Sequence, residues 1–250
     1  METVMSSPAE SIVAADMNLS FSCTDPDLTA MRARLEKSAA SRKSPLSAEK
    51  RHLVTLAVLT ALDAADDIEK YTEAALDDGV TPAAIREALY QCAPYAGFPR
   101  TERAVRKMNV VLSSRGIALP LKNQATVTEE NRFLKGLAVQ KGIFGSAIDA
   151  MHAATPESQK AIMVEHLSAF CFGDIYTRNG LDLKTRELLT FAVISALGGC
   201  ESQVKSHVQG NANVGNGKQE LIDALETCLP LMGFPRTLNA LACVNAVMQD

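Results

Sequence analysis

Three side chains set at helical spacing, and a carboxylate ahead of them, could do chemistry together. The stretch GGCESQVKSH, residues 198–207, places Cys200, Gln203 and His207 three and four residues apart after two glycines, and Glu187 stands thirteen residues before Cys200. Histidine is the side chain that ordinarily takes or gives a proton near neutrality, and a neighbouring carboxylate holds its tautomer. A cysteine in the first turn of a helix is expected to gain thiolate character from the positive dipole end and the unpaired N–H groups there. Glutamine offers an amide donor to a carbonyl or carboxylate. On a straight helix, Cys200 and His207 share a face but stand about 10 Å apart, with Gln203 between them in reach of either. A direct Cys–His ion pair therefore fails the distance test for an activated nucleophile unless water bridges it or the helix bends. Glu187 can meet His207 if two antiparallel helices pack here. Each residue also has a plainer use: Cys200 as a buried core thiol, His207 as a surface or satisfied core residue, and Glu187 as a solvated carboxylate beside Lys184 and Arg186.

The elements that must position these residues are helices, and they occur twice. CAPYAGFPRT at 92–101 matches CLPLMGFPRT at 228–237, and LVTLAVLTAL at 53–62 matches LLTFAVISAL at 188–197. The offsets, 136 and 135, differ by one residue, which the second copy gains at Gly198–Gly199. This is a duplicated unit of about 70 residues, and each copy reads as four helices. In the first copy, Ser47 caps a helix over 48–62 that carries Glu49 in its first turn. Asp63 to Asp67 open a second helix that stops at Gly79, Thr81–Pro82 start a third, and Pro99 starts a fourth that runs to Ser114. In the second copy, Asp182 caps the helix carrying Glu187, Cys200 opens the next, Gly215 ends it and Pro235 starts the last. A further helix is expected over 25–39, capped by Asp25 with Pro26 at its start, and two more over 128–141 and 156–170. No stretch alternates with period two for long enough to build a sheet, so the fold class is all-α. The expected organisation is a loose segment at 1–24, a first repeat at 25–114, a linker at 115–127 and a second repeat at 128–250 that holds the site.

The second copy, LDLKTRELLTFAVISALGGCESQVKSHVQGNANVG followed by LPLMGFPRTLNAL, with FGDIYTRNGLD ahead of it, resembles the carboxymuconolactone decarboxylase family. That family belongs to the all-helical superfamily that includes the alkylhydroperoxidase AhpD, and the resemblance covers most of 45–115 and 170–250. The AhpD-like pattern is Glu, then CxxC, then His four residues after the second cysteine. It falls on Glu187, Cys200, Gln203 and His207, with Gln203 where the peroxidases carry the attacking cysteine. The resemblance implies Glu187, Cys200 and His207 as catalytic residues. Gln203 and Arg236 become candidates to bind substrate, with an interface ion pair as the plainer use of Arg236 and of its counterpart Arg100. It also implies assembly as a trimer that mimics a hexamer of single units, and neither cofactor nor metal is expected. In the first copy, His52, Ala64, Asp67 and Tyr71 take the places of Glu187, Cys200, Gln203 and His207, so that copy is expected to supply structure and pocket wall. Cys92 and Cys228 occupy matching places in an apolar helix and read as core.

Composition narrows the partners. The net charge is −4, with no basic block, so a nucleic-acid partner is not expected. No run of about 18 apolar residues is present, so a membrane span is not expected either. The opening METVMSSPAESIVAAD carries Glu2, Glu10 and Asp16 and does not read as a signal peptide. Six scattered cysteines without zinc spacing read as free thiols in a reducing, cytoplasmic setting. Three functions fit. The first is a decarboxylase-like lyase acting on a small carboxylated lactone or related acid, with His207 as acid/base and Glu187 orienting it. The second is a thiol peroxidase of peroxiredoxin type, or a disulfide oxidoreductase, working through Cys200. The third is a non-catalytic helical assembly or ligand-binding module. The absence of a second cysteine at Gln203 favours the first.

Overall fold

The computed structural model describes residues 21–40 and 44–249, and every regular element among them is helical. Residues 1–20 of the expected loose segment lie outside the described residues. The chain divides into two compact units, 1–42 and 43–250. The first unit holds a short helix α1 (Phe21–Thr24) and α2 (Pro26–Ala40). Residues 21–24, expected to be loose, are therefore helical.

In the second unit the first repeat supplies α3 (Ala48–Ala61), α4 (Ala65–Asp77), α5 (Pro82–Gln91), the single turn α6 (Ala93–Ala96) and α7 (Phe98–Ser114). The caps are those the sequence offers. Ser47 Oγ accepts the N–H of Lys50 at 3.2 Å and Thr81 Oγ1 accepts that of Ala84 at 3.1 Å. After an irregular linker come α8 (Arg132–Phe144) and α9 (Ala147–Ala154), then a helix with π-type hydrogen bonding over Ala161–Tyr176. The second repeat proper follows as α10 (Leu183–Leu197), α11 (Glu201–Asn213) and α12 (Lys218–Val247). Asp182 Oδ1 accepts the Thr185 N–H at 2.8 Å at the start of α10.

Two stretches differ from expectation. The helix anticipated over 156–170 begins at Ala161 and runs on to Tyr176, and α9 stands where no helix was expected. The last two helices of the second repeat join into one bent element, with the break at Gly233 (φ +74°). Gly97 (φ +83°) makes the same break between α6 and α7, so the repeated GFP is a left-handed glycine that lets proline begin the next helix.

The core lies where the two copies meet. Every residue from Leu53 to Ala61 of α3 and from Thr185 to Ala196 of α10 is buried. These equivalent helices pack on each other, and α5 and α12 also pack against α3. A helix with so little polar face must lie in the middle of the fold. On one side α8 crosses the π-helix at backbone contact. A Cβ at Gly136 would fall 2.5 Å from the Gly173 nitrogen and 2.8 Å from its Cα.

Candidate active site

Glu187 lies near the start of α10 and is fully buried, and His207 in the middle of α11 is 9% exposed. The helices pack side by side and bring His207 Nδ1 to 2.9 Å from Glu187 Oε2. A carboxylate only accepts, so this bond sets the proton on Nδ1. Two further features hold the pair. Asn211 Nδ2 donates to the backbone oxygens of Glu187 (3.0 Å) and His207 (2.7 Å), tying α10 to α11. Gly210 leaves room for the carboxylate, because a Cβ there would stand 2.5 Å from Glu187 Oε2. The plainer reading of Glu187, a solvated surface carboxylate, does not hold.

The other oxygen of Glu187 accepts from Tyr176 Oη at 2.7 Å. Burial, then the charge of Glu187, pushes the Tyr176 phenol well above its ordinary value, so it remains a donor. Having given its one proton to Glu187, Tyr176 accepts from Thr190 Oγ1 at 2.7 Å, which in turn accepts from Gln91 Nε2 at 3.1 Å. Gln91 Oε1 accepts from Arg186 Nη1 at 2.9 Å. The chain Arg186–Gln91–Thr190–Tyr176–Glu187–His207 thus has a single direction of donation until it reaches the carboxylate, and it crosses from one repeat to the other.

Tyr95 and Phe144 wall the imidazole edge-on, with ring centroids 5.8 and 5.4 Å from it. Nε2 has no hydrogen-bond partner among the described residues. An apolar-walled imidazole, oriented through Nδ1 and open at Nε2, can exchange a proton with a bound molecule.

Cys200 differs from expectation. It sits at the N-cap position of α11, and no side-chain bond to the helix N–H groups is made. Its thiol turns back to the end of α10 and donates to the Ile194 carbonyl at 3.2 Å. Burial raises its pKa, and the Glu201 carboxylate and Cys243 raise it further. The expected thiolate stabilisation by the helix end is not realised, because the sulfur faces a carbonyl oxygen and an acidic neighbour. Cys200 lines a small pocket with Ser195, Gly198, Arg236 and Cys243, and His207 does not line it. Arg236 therefore accompanies Cys200, with its Nε 3.4 Å from where a Cβ of Gly198 would lie. Gln203 is exposed and its Oε1 accepts from Ser202 Oγ at 2.8 Å. Arg100 donates to the Ala61 carbonyl at 2.6 Å, so it closes the end of α3.

In the first repeat Ala64 holds the N-cap place of α4, as Cys200 does on α11, which supports the residue matching. His52, in the place of Glu187, bonds Asp78 at 2.6 Å. Cys92 and Cys228 are buried in the core. Sequence reasoning missed Tyr95, Phe144, Tyr176, Thr190, Asn211 and Gly210. One signal was available: within the repeated CAPYAGFPRT and CLPLMGFPRT, Tyr95 stands against Leu231, a polar tip where the other copy is apolar. Among the described residues, no three His, Cys, Asp or Glu side chains gather as a metal ion would need. No helix among them is long and apolar enough to cross a membrane.

Comparison with known proteins gives two findings. The model of the carboxymuconolactone decarboxylase family matches the chain twice, at residues 26–109 and 163–246. A 4-carboxymuconolactone decarboxylase from Acinetobacter baylyi is 28% identical over 129 residues, which span 50% of this chain and 92% of that protein.

Proposed function

This chain belongs to the carboxymuconolactone decarboxylase family, and on that premise we propose that its second repeat carries a decarboxylase-like acid–base site built on Glu187 and His207. The observation that carries this reading is the buried pair itself: Nδ1 held at 2.9 Å by Glu187, in an imidazole flanked by Tyr95 and Phe144 whose Nε2 has no partner among the described residues. The substrate class is a small carboxylated lactone or related unsaturated acid, in line with the similar protein from Acinetobacter baylyi. The C–CO₂⁻ bond breaks and carbon dioxide leaves. The electron pair passes into the conjugated carbonyl as a dienolate, and the protonated imidazole delivers its Nε2 proton to carbon. Solvent then reprotonates Nε2. Glu187 keeps the ring oriented and balances its charge while it is protonated. Gln203, one turn before His207 with its amide Nε2 unengaged among the described residues, is the proposed donor to the developing oxyanion.

The raised pKa of Cys200 disfavours the thiol-redox alternative. Release of carbon dioxide from 4-carboxymuconolactone tests the reading. His207→Ala should lower kcat by about 10²–10⁴-fold, Glu187→Gln should lower it in the same direction, and Cys200→Ser should leave it intact. Wild-type turnover by His207→Ala, or dependence on Cys200 instead, overturns the proposal. Assembly of several copies remains part of the proposal. The exposed Phe234 and Leu238 support it, and light scattering on a sizing column reads it directly.

A further inference from the structure

A second concave site lies away from His207. A cleft of about 440 Å³ opens between α5, α6, α7 and the end of the π-helix. Phe98, Val105 and Ile175 line its apolar part, and Tyr90, Arg178 and Asp174 line its polar part. Neither Glu187 nor His207 reaches it.

The polar end of this cleft rests on a cluster with too little negative charge. Glu87 is fully buried, and three guanidinium groups converge on it. Arg178 binds it with Nε at 2.8 Å and Nη2 at 3.0 Å, Arg186 at 3.2 Å and Arg86 at 3.3 Å. Three positive groups on one carboxylate leave a surplus of two positive charges. Backbone carbonyls of Leu121, Lys122, Arg178 and Asn179 take up some of the donors, yet the Nε atoms of Arg86 and Arg186 are buried without a partner. Burial lowers the pKa of Arg186 against the opposing pull of the Glu87 carboxylate. The other charges at the cleft are already matched. Asp174 is paired with Arg132 at 2.6 Å, and Glu102 with Arg106 at 3.1 Å. At the mouth of the cluster, the Tyr90 ring lies 5.1 Å from the Arg178 guanidinium and 5.6 Å from that of Arg86. Neither the Tyr90 hydroxyl nor Arg178 Nη1 has a partner among the described residues.

We propose that this cleft binds an amphipathic organic monocarboxylate, with the carboxylate on Arg178 Nη1 and the Tyr90 hydroxyl and the unsaturated or aromatic body against Phe98, Val105 and Ile175. The anion supplies counter-charge to the surplus, and the apolar wall selects a ligand with a flat carbon body over phosphate or acetate. The site does not depend on the decarboxylase reading, since its lining shares no residue with the Glu187–His207 pair.

Methyl-labelled full-length protein titrated with cinnamate tests this by NMR. The Val105 and Ile175 methyl signals should shift saturably. Cinnamamide, the neutral isostere, should bind about tenfold or more weakly, because a charge-assisted hydrogen bond is lost. Val105→Trp, which fills the cleft, should abolish the shift at Ile175, whereas His207→Ala should leave cinnamate affinity unchanged. Three results overturn the proposal: no shift at either methyl, whether the cleft is empty or covered by a second copy; equal binding of the amide; or loss of binding in His207→Ala.

Discussion

Glu187 carries two hydrogen bonds in a place where an unpaired carboxylate would be costly, and both come from residues the rest of the fold has fixed: Tyr176 on one oxygen and His207 on the other. His207 is thereby held through Nδ1, with Nε2 unpartnered among the described residues. Cys200, a few residues away in sequence, has the opposite surroundings. Its sulfur donates to a carbonyl, and its pKa is displaced upward by burial and by Glu201. A raised pKa keeps the thiol protonated at neutral pH, so alkylation by iodoacetamide should be slow at pH 7 and accelerate only above the free-thiol value of about 8.5. Site-resolved mass spectrometry against pH reads this, and a fast reaction at neutral pH would restore Cys200 as a nucleophile.

At the scale of elements, the site depends on how closely helices approach. The π-helix that delivers Tyr176 lies on α8, which delivers Phe144, and the two touch at Gly136 and Gly173 with backbone against backbone. A methyl at Gly136 would meet main-chain atoms that cannot turn aside. Gly136→Ala should therefore destabilise the protein by roughly 1–3 kcal/mol or more, as overpacking does, measured as a shift in the urea midpoint. Gly142 on the same helix has nothing near its Cβ position, so Gly142→Ala should not destabilise by that route and serves as the control.

At the scale of the molecule, the two repeats are joined by polar contacts as well as by the apolar faces of α3 and α10. Glu87 and Gln91 of the first repeat bind Arg178, Arg186 and Thr190 of the second. This places a charged cluster and the Glu187–His207 pair at opposite ends of one hydrogen-bonded chain. Glu87→Gln leaves three guanidinium groups without their shared counter-charge in a buried position. It should lower stability by roughly 3–5 kcal/mol, read by denaturant unfolding at neutral pH. A change within experimental error would show that the backbone carbonyls suffice.

The sequence by itself determined the duplication, the all-helical class, and the starts of helices at Ser47, Thr81 and Asp182. Each depends on local chemistry: an internal match, a hydrophobic period, a side-chain oxygen three residues before a backbone N–H. It also placed Glu187 and His207 on successive helices whose packing can bring them together, since helical spacing is a local property. The tertiary structure decided what long-range contacts decide. Tyr95, Phe144 and Tyr176 reach the site from three separate elements, and no spacing in the chain records that meeting. The orientation of Cys200 depended on where α10 ends relative to α11, and Arg236 went to the cysteine pocket because the bend at Gly233 aims the last segment there. Helix patterning reports which face is apolar. It does not report which polar tips from distant segments meet beneath that face, and those meetings make the site.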